Sequence, residues 1–360
     1  MSASSAPITE PAKLRAQRLP ERSGQPLAID RRGLRLRLVT IAVLAVAVVT
    51  VLLAVPDLRP VVREISGMDP AREAAAVALV LASCLSFVVI FRLFFAPVPT
   101  MAARELAWTQ MGSGALLPGG GVGSLAVGGW LLHLAGMPTR QIVQRSSGLF
   151  FLTSAINVLT LGAAGLLLTL GVAGGPHDAL RAGLPVLAAA GGLVVLALPP
   201  LARRIAREHP RASWLEDIGT GVRAARDALA RPSWRLLGAF GYLLFDIAVL
   251  WTTFAAVGPL PPLAPLVVAY LVGYLANAIP VPGGIGVLDA GLVGALALYG
   301  LPLGHAVAAV LVYHAIAFWI PTIGGALAYI PLRRHLTPGE EPAVAPRLPR
   351  RSLAGPERRG

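Results

Sequence analysis

Apolar runs long enough to cross a bilayer alternate along this chain with arginine-rich stretches. A crossing helix needs about 20 apolar residues. Six runs reach or approach that length: Leu38–Val55, Ala74–Phe95, Ser147–Gly171, Gly183–Leu201, Leu236–Val257 and His305–Ile330. Two more apolar regions are interrupted, Met111–Ala135 at Pro118–Gly123 and Ala264–Tyr299 at Pro280–Gly286. Each arm is shorter than, or close to, a full crossing. Both regions therefore read as re-entrant helical hairpins that enter and leave on one side. Broken backbone at membrane depth is tolerated only where protein or a wet cavity surrounds it. The predicted fold is an all-α polytopic membrane protein with about six full spans and two re-entrant hairpins.

The two interruptions resemble each other. Pro118-Gly119-Gly120 matches Pro282-Gly283-Gly284, 164 positions on, and the same offset pairs Leu132 with Leu296, Gly136 with Gly300 and Pro138 with Pro302. An Ala/Leu/Gly-rich chain produces chance identities, but here Pro and Gly punctuation recurs in register at both ends of the match.

Arginine and lysine in short flanks mark the cytoplasmic side. Residues 1–37 carry Lys13 and seven arginines, so the N-terminus is expected inside. Counting each hairpin as no crossing puts the loop 202–235, with eight arginines, and the segment from Arg333 onward on the same side. Repeats of about 74–171 and 238–335 then have opposite orientations, as in transporters that open to each side in turn. Residues 1–37 and 336–360 are polar and rich in Pro and Arg, and are expected to be disordered. No signal peptide is apparent. Ile205–Leu229 has the spacing of an amphipathic helix, but a solvated connector is the favoured reading.

Composition agrees with a membrane protein. The chain is 55% hydrophobic and 14% charged, against about 25% charged in soluble domains, and its mean hydropathy is +0.69. The net charge of +13 lies in arginines beside apolar spans, as membrane orientation requires, so no nucleic-acid partner is expected. Cys84 is the single cysteine and cannot form an internal disulfide. Lys13 is the sole lysine among many arginines, a bias that suggests a GC-rich bacterial gene.

The candidate chemistry gathers at the interruptions. Glycine-rich turns before half-helices leave backbone N–H groups without helical partners, and with the helix dipole these favour anions. Pro118, Gly119, Gly120, Gly121 and Gly123 form one such turn, and Pro282, Gly283, Gly284 and Gly286 the other. Alternatively, the glycines serve only tight turning and close packing. Ionisable residues inside spans are functional suspects: Asp246 lies mid-span, Asp289 follows the second turn, and Tyr313 and His314 lie in the last span. Arg92 reads as a residue snorkelling to the interface, and His133 and His305 as segment-end histidines. The sequence has no metal-ligand cluster, nucleophile elbow or Walker loop, so no enzyme activity, metal or cofactor is expected.

The stretch Tyr270–Asp289, the Gly-Leu-Pro at 300–302 and Val310-Leu-Val-Tyr-His314 together resemble the flippase-like membrane domain of lysylphosphatidylglycerol synthases and its stand-alone relatives. The resemblance covers roughly residues 35–335. It implies a polytopic protein of the bacterial cytoplasmic (inner) membrane that moves lipids or lipid-linked groups between leaflets; members joined to a synthase domain flip aminoacylated phosphatidylglycerol. Two departures stand out. The family usually has Glu at the position of Asp289 and Arg at that of His314. Its first motif usually carries Gly-Glu and a later Arg, where this chain has glycines, Val122 and Ser124. The sequence holds no polar globular stretch long enough for an aminoacyl-transfer domain, so neither that domain nor synthase activity is expected.

The functional expectation is a translocase for membrane lipids, an anionic or aminoacylated phospholipid among them. A second copy of the chain or an envelope enzyme stands open as a partner. Two rivals remain open: a secondary transporter coupled to protons through Asp246 or His314, and a non-transporting membrane scaffold.

Overall fold

The computed structural model describes residues 69–117, 121–176, 178–196, 213–231, 233–279, 281 and 284–336. The predicted span Leu38–Val55, the segment 1–37, the tail beyond 336, the turn residues Pro118–Gly120, and Pro282 and Gly283 lie outside the described residues.

Every described element is helical. Helix α1 (Pro70–Phe94) opens on Asp69, whose carboxylate accepts from the Ala71 N–H at 3.0 Å, with proline in the first turn. That pairing of cap and proline is the usual signal for a helix start. Then follow α2 (Thr100–Leu116), α3 (Gly121–Leu134), α4 (Thr139–Thr169), α5 (Ala179–Leu196) and α6 (Ser213–Ala230). The second half runs α7 (Leu236–Val257), α8 (Leu263–Gly273) with a 3-10 turn over Tyr274–Ala278, α9 (Val287–Leu298) and α10 (Leu303–Leu336).

Four of these helices are long and apolar enough to cross a membrane: α1, α4, α7 and α10. The protein is a membrane-embedded, multi-pass helical protein. The run predicted as a span over Gly183–Leu201 is a shorter apolar helix in the described residues, with Pro185 inside it. At 1.5 Å per residue, α2, α3, α8 and α9 are each about 17–26 Å long, short of the roughly 30 Å hydrocarbon core. Each half therefore holds a long helix, two short ones and a second long helix. The starts of α7 to α10 each fall within two residues of the starts of α1 to α4 displaced by the 164-residue offset.

Local geometry repeats as well. Gly136 and Gly300 have φ of +85° and +86°. At the first, the Gly136 N–H donates to the His133 carbonyl and the Met137 N–H to that of Leu132; at the second, Gly300 donates to Ala297 and Leu301 to Leu296. Both are Schellman closures, and proline follows two residues later to start the next helix. A methyl group at either glycine meets nothing within 4 Å, so alanine pays only for the left-handed backbone. Gly136→Ala and Gly300→Ala are each expected to cost about 1–2 kcal/mol, read as a lower melting midpoint in detergent. Equal midpoints for wild type and both variants would refute the assignment.

The core forms where α1 lies along α7, the most extensive helix pair. Ile90, Val249 and Leu250 are fully buried there. The Ser83 hydroxyl donates across the seam to the Tyr242 carbonyl at 2.9 Å. Around this pair, α2 packs on α10 and α8 packs on α4.

The solvated connector favoured for Ile205–Leu229 is corrected over its described part. Residues 213–230 form α6, which docks on α4. Val222 and Ala225 are buried. Asp217 accepts from Arg140 Nε at 2.9 Å and from Gln144 Nε2 at 2.8 Å. The apolar spacing was visible in sequence; the surface that covers it comes from a helix some 70 residues away.

Candidate functional site

A cavity of about 180 Å³ opens between α1, α2, α3, α7, α10 and the second interruption. Three elements of chain logic put functional groups on its wall. Asp246 sits in the middle of α7, where an apolar helix carries a single carboxylate. Tyr313 and His314 sit in α10, and the broken hairpin brings Gly284 and Asn277 beside them. From the other half come Gly121 and Ser124, at the start of α3.

Two carboxylates organise the polar groups. One oxygen of Asp246, Oδ2, accepts from the Tyr270 hydroxyl and, at 2.9 Å, from the Tyr313 hydroxyl. Tyr270 and Tyr313 are almost fully buried, and their rings meet edge to face. The second carboxylate, Asp289, works in two directions. Its Oδ2 accepts from the Gly286 N–H at 2.8 Å and so caps α9. Its Oδ1 lies 2.5 Å from His314 Nδ1, and the two side chains are 15% and 11% exposed.

This arrangement narrows what each glycine turn can do. At the second turn Asp289 already occupies the Gly286 N–H, so that donor is satisfied from within the chain. Gly284, at φ +66°, lets the turn pass under Asn277 and Leu288. At the first turn the described residues Gly121 and Gly123 begin α3, and no carboxylate side chain stands in its first turn.

Phe87, Tyr242, Tyr274 and Phe318 complete the lining with aromatic rings. Among the described lining residues none is a lysine or an arginine, and none of the described His, Cys, Asp and Glu side chains form a group that could hold a metal.

Residues 41–325 match the family model described as the lysylphosphatidylglycerol synthase TM region. The chain belongs to that family. It is also similar to a "UPF0104 membrane protein" of Methanothermobacter thermautotrophicus, 33% identical over 100 residues, a match that spans 28% of this chain and 28% of that relative.

Within this lysylphosphatidylglycerol synthase TM-region protein, the two residues that depart from the second family motif, Asp289 and His314, are each other's partners. The structure brings together Asp246, Asp289, Tyr313, His314, Gly121, Gly284 and Gly286 around or against one cavity. Gly123 lies in the first turn of α3. Pro118, Gly119, Gly120, Pro282 and Gly283 fall outside the described residues. Sequence reasoning missed Tyr270, Tyr274, Tyr242 and Asn277. The only signal was their position: Tyr270, Tyr274 and Asn277 lie in the segment that carries the resemblance.

A second cavity, of about 460 Å³, lies among the α7–α8 and α9–α10 connections and the start of α5. None of the described predicted site residues lines it. Its Arg181 is held by Asp178, Nε to Oδ2 at 2.7 Å. The Arg181 backbone N–H holds the Asp178 carboxyl below the usual carboxylate range.

Proposed function

We propose that this protein moves an amine-bearing phospholipid between membrane leaflets, by alternate opening of two inverted halves. The observation that carries this reading is Asp246, a carboxylate at mid-span, on the wall of a cavity whose described lining has aromatic rings and no lysine or arginine. A carboxylate at that depth costs about 2.5–3.5 kcal/mol to insert, which a cationic ligand offsets. Aromatic faces add cation–π attraction for an ammonium group. The phosphate of the same headgroup has a natural place at the start of α3, where first-turn backbone N–H groups lack helical partners and Gly121 lines the cavity.

Two features support two related halves, and the odd number of crossings read from the sequence between the start of one repeat and the start of the next makes them inverted. The helix order and helix starts recur at one offset. The contacts also survive exchange of the halves: α1 and α7 pair with each other, while α2 on α10 corresponds to α8 on α4. In this reading the membrane is the bacterial cytoplasmic membrane, both termini are cytoplasmic, and the chain carries no catalytic chemistry of its own.

The test is leaflet exchange in proteoliposomes, read by dithionite quenching of acyl-chain-labelled phosphatidylethanolamine and phosphatidylglycerol. Wild type is expected to expose inner-leaflet phosphatidylethanolamine faster than phosphatidylglycerol. Gly284→Leu, which forces a side chain onto a left-handed residue 3.2 Å from Asn277 Oδ1, is expected to lose that exchange. Quenching at the empty-vesicle level for both lipids would sink the translocase reading. A preference for phosphatidylglycerol would remove its amine component.

A second reading, a transporter of a small amine, has the modest cavity volume in its favour. Uptake of radiolabelled methylammonium without lipid exchange would select it.

A further inference from the structure

We infer that Asp246 exchanges one proton for the ammonium group of each headgroup it receives, so that lipid and proton move in opposite directions through a single carboxylate. This rests on the reading of the cavity as a site for an amine-bearing headgroup.

The argument begins with the number of counter-charges. Among the described residues no fixed positive charge faces Asp246, which leaves it a proton, a cationic ligand or nothing. Around it stand Cys84 on α1, Tyr242 on α7 itself, Tyr270 on α8, Tyr274 in the 3-10 turn, and Tyr313 and His314 on α10. None of these brings a fixed positive charge. Helix α4 also packs on α7. Its Arg140 and Arg145 sit at the helix start, engaged by Asp217 and by the Phe94 carbonyl at 2.7 Å. Arg92, near the end of α1, donates to the Thr100 hydroxyl at 3.1 Å. The one histidine among the described wall residues, His314, is paired with Asp289.

Both tyrosine hydroxyls donate to the same oxygen of Asp246. The other oxygen is therefore the one left to meet the cavity, and it can carry a proton or face an ammonium group but not both. The cavity is polar enough and roomy enough to hold water, which supplies the route for that proton.

The cycle balances. With the cavity open to one leaflet, the headgroup arrives as an ammonium. The Asp246 carboxyl gives its proton to cavity water, and the carboxylate pairs with the ammonium. With the cavity open to the other leaflet, the ammonium departs and a proton from that side takes its place on the same carboxylate. A bare carboxylate is expensive at membrane depth, so the empty protein crosses back protonated.

The test is calorimetric titration of the full-length protein in detergent with dihexanoyl phosphatidylethanolamine, in two buffers of different ionisation enthalpy, across about pH 5–8. Proton release per bound lipid is expected to approach one at the acid end and to fall toward zero at the alkaline end. The apparent affinity is expected to weaken by up to about tenfold for each pH unit downward through the acid range. Asp246→Glu is expected to keep the release and Asp246→Asn to abolish it. Wild-type binding with no proton release at any pH would overturn the exchange and leave the translocase reading standing. Release that persists in Asp246→Asn would overturn the assignment to this residue. No wild-type binding at all would overturn both.

Discussion

Asp246→Asn is expected to cut lipid exchange about a hundredfold, the consequence of removing one partner from a desolvated charge pair at about 3 kcal/mol. The protein is expected to stay folded. Asparagine has the shape of aspartate, and its carbonyl oxygen can still accept from Tyr270 and Tyr313. Asp246→Ala is a different experiment. It leaves two buried hydroxyls without their acceptor, each at about 1–3 kcal/mol, and so mixes a folding defect into the transport defect. The informative pair is Asp246→Asn beside Asp246→Glu, both checked by gel filtration before reconstitution. Exchange by Asp246→Asn at the wild-type rate would show that no charge at this position matters to the substrate.

Gly112→Val is the second large effect, and it acts on folding. Where α2 crosses α10, a Cβ at 112 would lie 2.7 Å from the Pro321 carbonyl oxygen and 3.0 Å from the Gly325 Cα. The reverse holds on the partner helix: a Cβ at 325 would lie 2.7 Å from the Trp108 carbonyl oxygen and 2.8 Å from the Gly112 Cα. These neighbours are backbone atoms and cannot rotate away. Small residues at such crossings let membrane helices approach closely enough for dispersion to hold them. Valine there is expected to cost at least the 1–3 kcal/mol typical of overpacking and to shift α2 from the cavity wall. The result should be a melting midpoint several degrees lower and a poor yield of monodisperse protein. Gly294→Ala is the control: a methyl there meets nothing, and stability should hold or rise. An unchanged midpoint for Gly112→Val would mean that the helices do not cross this closely.

Much of this was open to reading in the chain because the signals are local. Gly136-Met137-Pro138 and Gly300-Leu301-Pro302 each state a helix stop and a helix start within three residues. Asp246 stands out because its neighbours on both sides are apolar. What escaped is what depends on distant partners. Tyr270 in an apolar run reads as ordinary core until Asp246, 24 residues away, is seen to accept from its hydroxyl. The double duty of Asp289 could not be seen either. Its spacing from Gly286 points to a cap, but only the fold reveals His314 on its other oxygen. The docking of α6 was missed for the same reason, since Asp217 meets Arg140 from 77 positions away.

Tyr313 and His314 are consecutive residues, so their side chains leave α10 about 100° apart. One reaches Asp246 on α7, the other Asp289 on α9. The last helix thus works like a camshaft with two lobes. A twist about its axis would act on both grips, and Pro321, seven residues beyond His314, lies inside the same helix. In the proposed alternation of the halves, letting go of the carboxylate in one helix and unlocking the glycine turn before another would be a single mechanical event.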